Sequence, residues 1–169
     1  AVLRAGNLKL RSWEAQAADE FSRTEGGFSR FNFDVNHVSK LSKVTQFDIF
    51  AHGQLANRNL DSSEQFYLGG ADAVRAYPQG EAGGDSGYQA TAELRYQTPV
   101  KGMSMTLFAD VGEVLARKDG DTSDPHRRLA GWGIGAVYSL DRSLYARLDY
   151  ARKIKGESYR SEAEDKNGR

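Results

Sequence analysis

The stretch from Tyr88 to Thr98, which reads YQATAELRYQT, decides the fold class of this chain. Its apolar residues, from Tyr88 to Tyr96, alternate without exception with polar residues, from Gln89 to Gln97. Side chains of a β-strand point alternately to opposite faces, whereas the 3.6-residue period of an α-helix would mix the two sets. The stretch is therefore predicted to be a β-strand with one apolar and one polar face.

The same two-residue period predicts six further strands of about ten residues, the length that tilted strands need to cross a bilayer. They lie at about 3–12, 28–37, 44–55, 103–114, 130–140 and 144–153. Short and long connections alternate between the seven strands. The short ones lie near 38–43, 99–102 and 140–143, and the long ones near 14–26, 56–87 and 115–129. This alternation is typical of an up-and-down antiparallel β-barrel with tight turns at one rim and long loops at the other.

Composition excludes several classes of protein. The 169 residues have room for about one domain. Lys and Arg together number 23, as do Asp and Glu, so a net charge of zero gives no electrostatic reason to expect nucleic acid as a partner. Cysteine is absent, which excludes disulfides and cysteine-ligated zinc. No apolar run approaches the length of about 18 residues that a transmembrane helix needs.

No catalytic or metal motif is complete. Gly84–Gly87 reads GDSG and imitates the nucleophile segment of a trypsin-like protease. The three histidines, His37, His52 and His126, are scattered singly and sit in no supporting motif, whereas a protease triad needs a base and an orienting acid. We expect no enzyme activity, no metal and no cofactor.

Alternation alone does not say which face meets water. A soluble, ligand-binding barrel buries its apolar face, whereas a membrane barrel turns it to lipid. Tyr88 and Tyr96 stand near the ends of the apolar row, in the manner of the aromatic girdles of membrane barrels. The polar rows carry charges of both signs, which suits a watery lumen: Glu93, Arg95, Asp110, Arg147 and Asp149. These features favour the membrane barrel, with the soluble barrel as the alternative.

The long connection 56–87 has its own motifs. Residues 66–78 read FYLGGADAVRAYP and residues 80–88 read GEAGGDSGY, while the later strand contains FADVG at 108–112. These stretches resemble the sixth extracellular loop, with its VRGY or VRAY tetrad, and the FxDxG motif of two-partner-secretion transporters. That family includes the hemolysin activators and the filamentous-hemagglutinin transporters. TEGGFSR at 24–30 resembles a stretch that these transporters carry further upstream.

The resemblance implies an architecture and a function. The family has an N-terminal helix, two POTRA domains and a 16-stranded transmembrane barrel. Residues 1–169 would form the C-terminal part of that barrel, about seven strands (9 to 15), with loop 56–87 inserted, and both chain ends would be internal to a longer protein. Such a barrel, monomeric when full length, lies in the lipid of the bacterial outer membrane. It passes a large, unfolded exoprotein, an adhesin or hemolysin, to the cell surface. An insertase-type member of the same superfamily and a simple porin remain alternatives.

The resemblance also implies site residues. Val74, Arg75, Ala76 and Tyr77 would form the gating tetrad, with alanine replacing the usual glycine at position 76. Phe108, Asp110 and Gly112 would form the partner motif in the lumen. A guanidinium can bridge a carboxylate with two hydrogen bonds, and Asp110 lies on the polar row, so Arg75 and Asp110 can pair if the loop enters the barrel. The alternatives are a solvated Arg75 and an Asp110 paired with Arg95 or Arg147.

Two further sets of residues have competing explanations. Gly131, Gly133 and Gly135 share the polar face of their strand, where they would either leave room for the inserted loop near Arg75 and Tyr77 or ease the curvature of the barrel. A basic set near the last long loop could contact lipopolysaccharide phosphates at the outer rim, although simple solubility is the more ordinary explanation. This set comprises Arg117, Lys118, Arg127 and Arg128.

Overall fold

A computed structural model describes residues 1–116, 126–140 and 144–154. The described part forms nine β-strands, one α-helix and a short 3-10 turn at Ser62–Glu64. In chain order these are β1 (Val2–Leu8), α1 (Trp13–Ser22), β2 (Gly26–Lys40), β3 (Thr45–Ala56), β4 (Phe66–Leu68), β5 (Ala82–Gly84), β6 (Ser86–Gln97), β7 (Met103–Leu115), β8 (His126–Leu140) and β9 (Leu144–Ile154).

Seven of the strands form one sheet in the order β1-β2-β3-β6-β7-β8-β9. Every neighbouring pair is antiparallel. The sheet is an open meander with β1 and β9 at its edges, and it confirms the predicted all-β, up-and-down architecture. Strand β8, with 15 residues, extends beyond its predicted start towards the rim that carries the long connections, and β2, also with 15 residues, extends beyond the predicted 28–37 at both ends.

The two faces of the sheet differ as the periodicity predicts. One face, here called the outer face, exposes Tyr88 and Tyr96 (each 45% exposed) together with Trp132 and Ile134. The opposite face, here called the inner face, buries polar side chains such as Gln89 and Asp110. Since the apolar rows are exposed and the polar rows are covered, the apolar rows do not line a dry core.

The covering is supplied by the connection between β3 and β6. It folds back over the inner face, where β4 and β5 pair as a small second sheet. The core of the described residues lies between this segment and the sheet: Phe66, Leu68, Val74, Tyr77, Ala82, Val114 and Leu129. The loop is thus an integral layer of the fold, and the hairpin of two three-residue strands was not predicted.

Helix α1 lies within the long connection predicted near 14–26, and its helical conformation was not predicted. Ser12 caps the helix, since its hydroxyl accepts the N–H of Ala15 (3.2 Å). The helix ends at Arg23, which adopts the left-handed conformation (φ 53°). Among the described residues, no helix is both long and apolar enough to cross a membrane.

The carboxylate of Asp19 closes the C-terminal end of α1. It accepts the hydroxyl (2.6 Å) and the N–H (2.7 Å) of Thr24, the N–H of Glu25 (3.0 Å) and the hydroxyl of Ser22 (2.9 Å). Burial by itself would raise the pKa of Asp19, but the hydrogen bonds, that of the Thr24 hydroxyl foremost, outweigh it and lower the pKa to about 2. The ionised carboxylate therefore stabilises this turn.

Candidate functional site

Arg75 lies at the tip of the connection between β3 and β6 and points onto the inner face. Its Nε and Nη2 donate to the two oxygens of the Asp110 carboxylate on β7, at 2.9 and 2.8 Å. The backbone N–H of Arg75 donates to the same carboxylate (3.1 Å), and so does the hydroxyl of Thr91 (2.9 Å). Asp110 is 3% exposed, so the ion pair is shielded from water. A bidentate, buried pair with further hydrogen bonds is the geometry in which an ion pair fixes a position strongly.

Glu93 on β6 is a second carboxylate for Arg75 and was not predicted as a site residue. Its Oε1 accepts a hydrogen bond from Nη1 of Arg75 at 2.7 Å. The register of the sheet explains this contact, because Glu93 lies directly opposite Phe108 and Asp110 opposite Thr91. The two carboxylates thus stand on adjacent strands of the inner face. The sequence shows two acidic residues on neighbouring polar rows. It does not show the register of the two strands, which decides that both carboxylates lie near Arg75.

Phe108 supports the guanidinium from below. The Arg75 guanidinium carbon lies 3.4 Å from the centre of the Phe108 ring, and the ring is buried. A cation over an aromatic face gains electrostatic attraction, more so when both are removed from water. The first residue of the FxDxG stretch therefore touches the same side chain as its aspartate.

The other tetrad residues hold the tip through packing. Val74 and Tyr77 belong to the buried core, and the Nζ of Lys153 lies 4.9 Å from the centre of the Tyr77 ring. The Tyr77 hydroxyl donates to the carbonyl of Ile154 (3.4 Å) on β9. The tip therefore contacts strands from β6 to β9.

Two glycines of the predicted motifs provide close approach. A Cβ on Gly112 would lie 2.6 Å from Cδ2 of Leu68, so this glycine makes room for strand β4 of the loop. A Cβ on Gly131 would lie 2.6 Å from Cβ of Ala76, which places the tetrad alanine directly over that glycine. A backbone without Cβ at both positions lets the loop pack flat on the sheet.

The remaining glycines of the row do not face the loop, and the expectation for them needs correction. A Cβ on Gly133 would collide with the Phe108 ring and with the carbonyl of Tyr150. A Cβ on Gly135 would collide with the Asp149 carboxylate. Gly133 therefore accommodates the Phe108 ring that contacts Arg75, and Gly135 accommodates the Asp149 side chain. Of the three glycines, Gly131 is the one that contacts the loop tip.

The pairing alternatives considered for Asp110 are not what the structure has. Arg95 lies 3.3 Å from Glu93 and 3.6 Å from Asp48, and Arg147 pairs with Asp149 at 2.7 Å. These charged side chains continue the inner face beyond the tip of the loop. Asp48, Glu93, Arg95 and Arg147 line a cavity of about 550 Å³ that also contacts Arg75 and Thr91.

A second polar network, also not predicted, holds the two ends of the loop together. Gln54 on β3 is buried, and its Nε2 donates to the carbonyls of Glu64 (2.8 Å) and Asp85 (3.1 Å). The fully buried carboxylate of Asp85 accepts the N–H of Leu60 (3.0 Å) and Nε2 of Gln65 (3.1 Å). The base of the loop is thus anchored separately from its tip.

Between the two anchors, the chain turns at glycines. Gly69 (φ +88°) and Gly70 (φ +107°) follow β4, and Gly80 (φ +70°) precedes β5. Only glycine adopts these angles without strain. The segment 69–80, here called the loop tip, is therefore set off from the β4–β5 hairpin by positions that suit a change of direction.

Comparisons with known proteins agree with this architecture. The model of the family described as haemolysin secretion/activation protein ShlB/FhaC/HecB matches residues 8–138, well over half of the chain. Two relatives from Haemophilus influenzae, of the Rd strain and of strain 86-028NP, are both named heme/hemopexin transporter protein HuxB. Each is 32% identical over 111 residues, which cover 63% of this chain and 20% of the relative. The chain thus spans about a fifth of the length of these relatives.

A solved structure has the same fold. CdiB from Acinetobacter baumannii superimposes with a TM-score of 0.57 at 24% sequence identity, over 77% of this chain and 24% of the other. CdiB is an outer-membrane β-barrel, so the open sheet described above corresponds to part of a barrel wall. Together with the family match, this confirms the resemblance on which the sequence predictions relied. The chain belongs to the ShlB/FhaC/HecB family of two-partner-secretion proteins, which are β-barrels of the bacterial outer membrane.

Proposed function

We propose that this chain forms the C-terminal part of a pore that passes a large, unfolded exoprotein, an adhesin or hemolysin, from the periplasm to the cell surface. In this proposal, residues 1–169 supply about seven strands of a 16-stranded, monomeric barrel. The family match supports a role in secretion or transport. The chain would carry out no covalent chemistry.

The observation that carries the proposal is the buried attachment of Arg75 to Asp110 and Glu93. It holds the loop tip on the face that becomes the lumen when the sheet closes. A polypeptide in transit would have to pass this tip. We therefore infer that the tetrad Val74–Tyr77 positions a gate, and that Phe108, Asp110 and Gly112 form its seat.

The polar character of the inner face suits a transit path. Side chains of both signs surround the cavity beside Arg75, among them Asp48, Arg95 and Arg147. Their mutual pairing leaves little net field to trap a passing chain of either charge. An unfolded exoprotein that folds outside the cell would give the movement its direction.

The decisive experiment is removal of the gene and complementation with the full-length protein. Loss of the exoprotein from the cell surface, with unchanged amounts of unrelated porins, supports the pore. A general fall in barrel proteins would instead favour the insertase-type alternative. Normal surface display of the exoprotein in the deletion strain would contradict both.

The identity to the Haemophilus relatives favours one class of cargo in particular. These relatives are named heme/hemopexin transporters. We therefore propose, as a second candidate, that the exoprotein takes part in acquiring heme or hemopexin. The same deletion strain would then fail to grow on heme–hemopexin as its iron source, while growth on free iron would be normal.

A further inference from the structure

Charged side chains on the outer face are confined to one region. In the described strands, the outer rows carry three residues of the Asp, Glu, Lys and Arg types: Glu113 on β7, Arg128 on β8 and Arg152 on β9. All three lie on adjacent strands, in the halves nearest the rim of the long connections. Around them the outer rows are apolar or neutral, so the cluster is a local feature and not a uniform polar collar.

Glu113 organises the first part of the cluster. Its carboxylate is 2.7 Å from Nδ1 of His126 and 3.0 Å from Nε of Arg128, and it accepts the Tyr88 hydroxyl at 3.4 Å. The carboxylate side chain is 17% exposed, whereas that of Arg128 is 74% exposed. The Glu113 carboxylate is thus largely covered by its partners on the outer face, whereas the Arg128 side chain is exposed.

Arg152 supplies a second guanidinium. It lies directly opposite the exposed Trp132 and therefore on the outer face. Its neighbours on that face of β9 are Tyr150 and Ile154, both exposed apolar residues. Within residues 1–116, 126–140 and 144–154, Arg152 has no ion pair. A guanidinium on a lipid-facing row is unfavourable unless water or an anion meets it.

An apolar groove adjoins the cluster. It has a volume of about 310 Å³ and runs between Phe33, Leu55 and Tyr88, with Glu113 and His126 at its edge. A ligand that fills both parts would need an anionic head for the guanidinium groups and an apolar chain for the groove. Membrane barrels carry their longer loops on the extracellular side, which places the cluster at the outer leaflet.

We propose that this region binds a phosphorylated glycolipid of the outer leaflet, lipopolysaccharide. Its phosphates would contact Arg128 and Arg152, and an acyl chain would lie in the groove along Tyr88 and Leu55. Arginine pairs with phosphate through two parallel hydrogen bonds, which suits this head group. The groove favours a lipid over free phosphate. The proposal depends on the outer-membrane location and is independent of what the pore secretes.

The test compares lipid binding by full-length proteins purified in detergent. Binding of lipopolysaccharide, of the anionic phospholipid phosphatidylglycerol and of inorganic phosphate is measured by native mass spectrometry and by the shift in melting temperature. The variant is Arg128→Gln combined with Arg152→Gln. The matched control, Lys40→Gln combined with Lys43→Gln, removes two positive charges at the rim with the short turns.

The double arginine variant is expected to lose affinity for lipopolysaccharide by about tenfold or more, since two charge-assisted contacts are lost. The lysine control should stay within about twofold of the wild type, and phosphate alone should not bind. Heat-dependent mobility on gels and exoprotein secretion verify that all variants are folded. Equal affinity of the wild type and the arginine variant would overturn the proposal. So would equal binding of phosphatidylglycerol and lipopolysaccharide, because the site would then not select a glycolipid.

Discussion

Arg75 is held in place by three different interactions: a bidentate pair with Asp110, a single bond to Glu93 and the ring of Phe108. Removing the guanidinium leaves the buried Asp110 carboxylate without its cation, whereas Glu93 keeps Arg95 at 3.3 Å. Breaking a buried ion pair on one side costs about 3–5 kcal/mol. At the residue scale, Arg75 therefore makes the charged contacts of the loop tip, in addition to the packing of Val74 and Tyr77.

We expect Arg75→Ala to reduce exoprotein secretion strongly while the barrel still inserts, because the seven strands pair with one another and the base of the loop keeps its own anchor at Gln54 and Asp85. Arg75→Lys should give an intermediate level, since a lysine cannot bridge a carboxylate bidentately. Secretion is measured as exoprotein in the medium, and insertion as heat-modifiable protein in outer membranes. The control is Arg58→Ala, a loop arginine away from the inner face. Secretion at the wild-type level in Arg75→Ala would refute the gating role.

Gly131 tests the fit between tip and sheet. A Cβ here would come within 2.6 Å of the Ala76 methyl, so Gly131→Val should lift the tip and increase its cleavage by added protease. Gly27→Ala is a suitable control, because its nearest neighbour to a new Cβ is a carbonyl at 4.0 Å. A tip equally resistant in both variants would mean that the glycine does not seat the loop.

At the scale of elements, the strands follow from the sequence and the covering layer does not. Alternation over 88–98 and 103–114 is strictly local, so it is visible without knowing any partner. Strands β4 and β5 have three residues each, too few for a period, and they exist because Leu68 packs over Gly112. Helix α1 was not predicted because its cap, Ser12, stands at the end of the predicted strand 3–12, and Asp19 lies in the predicted long connection 14–26.

Helix α1 is expected to loosen in acid. The folded-state pKa of Asp19, about 2, lies below its ordinary value of 3.8. The ionised carboxylate therefore stabilises the turn fully above about pH 4, and this contribution is lost as the pH falls towards 2. The protection of the Thr24 and Glu25 amides, measured as their exchange rate relative to that of an unstructured chain at the same pH, should decrease over that window. In Asp19→Asn, exchange should be faster at neutral pH and should lack the pH-dependent step.

At the scale of the whole molecule, the direction of each face follows from alternation together with aromatic placement. The pairing of Arg75 with Asp110 was also accessible, once the two motifs were recognised together. The role of Glu93 and the network of Gln54 and Asp85 were not, because each depends on which residues the register and the loop bring together. Sequence patterns thus predict rows of side chains, whereas contacts between rows require the assembled sheet.

The outer face should tolerate no charge at its centre. Leu94 forms an apolar row with Leu107 and Ile134 across three strands, and on β6 it lies between Tyr88 and Tyr96. Leu94→Arg is expected to lower the free energy of unfolding of the full-length barrel in lipid by about 2–4 kcal/mol. Thr45→Arg, on the same outer face directly opposite Tyr96 at the short-turn end of the strands, should cost much less. Denaturant titrations in vesicles would measure both, and a negligible loss for Leu94→Arg would mean that this row never meets lipid.

The anchors of the loop are all close along the chain. Arg75 reaches Asp110 across 35 positions and Glu93 across 18, and Gln54 reaches Asp85 across 31. Such near neighbours meet quickly and at small entropic cost while a chain is still collapsing. The loop tip and the inner-face residues that hold it can consequently come together early in folding, before distant strands pair to close the barrel. If the loop tip has the gating role proposed above, this order of assembly would keep the lumen blocked while the barrel inserts into the membrane.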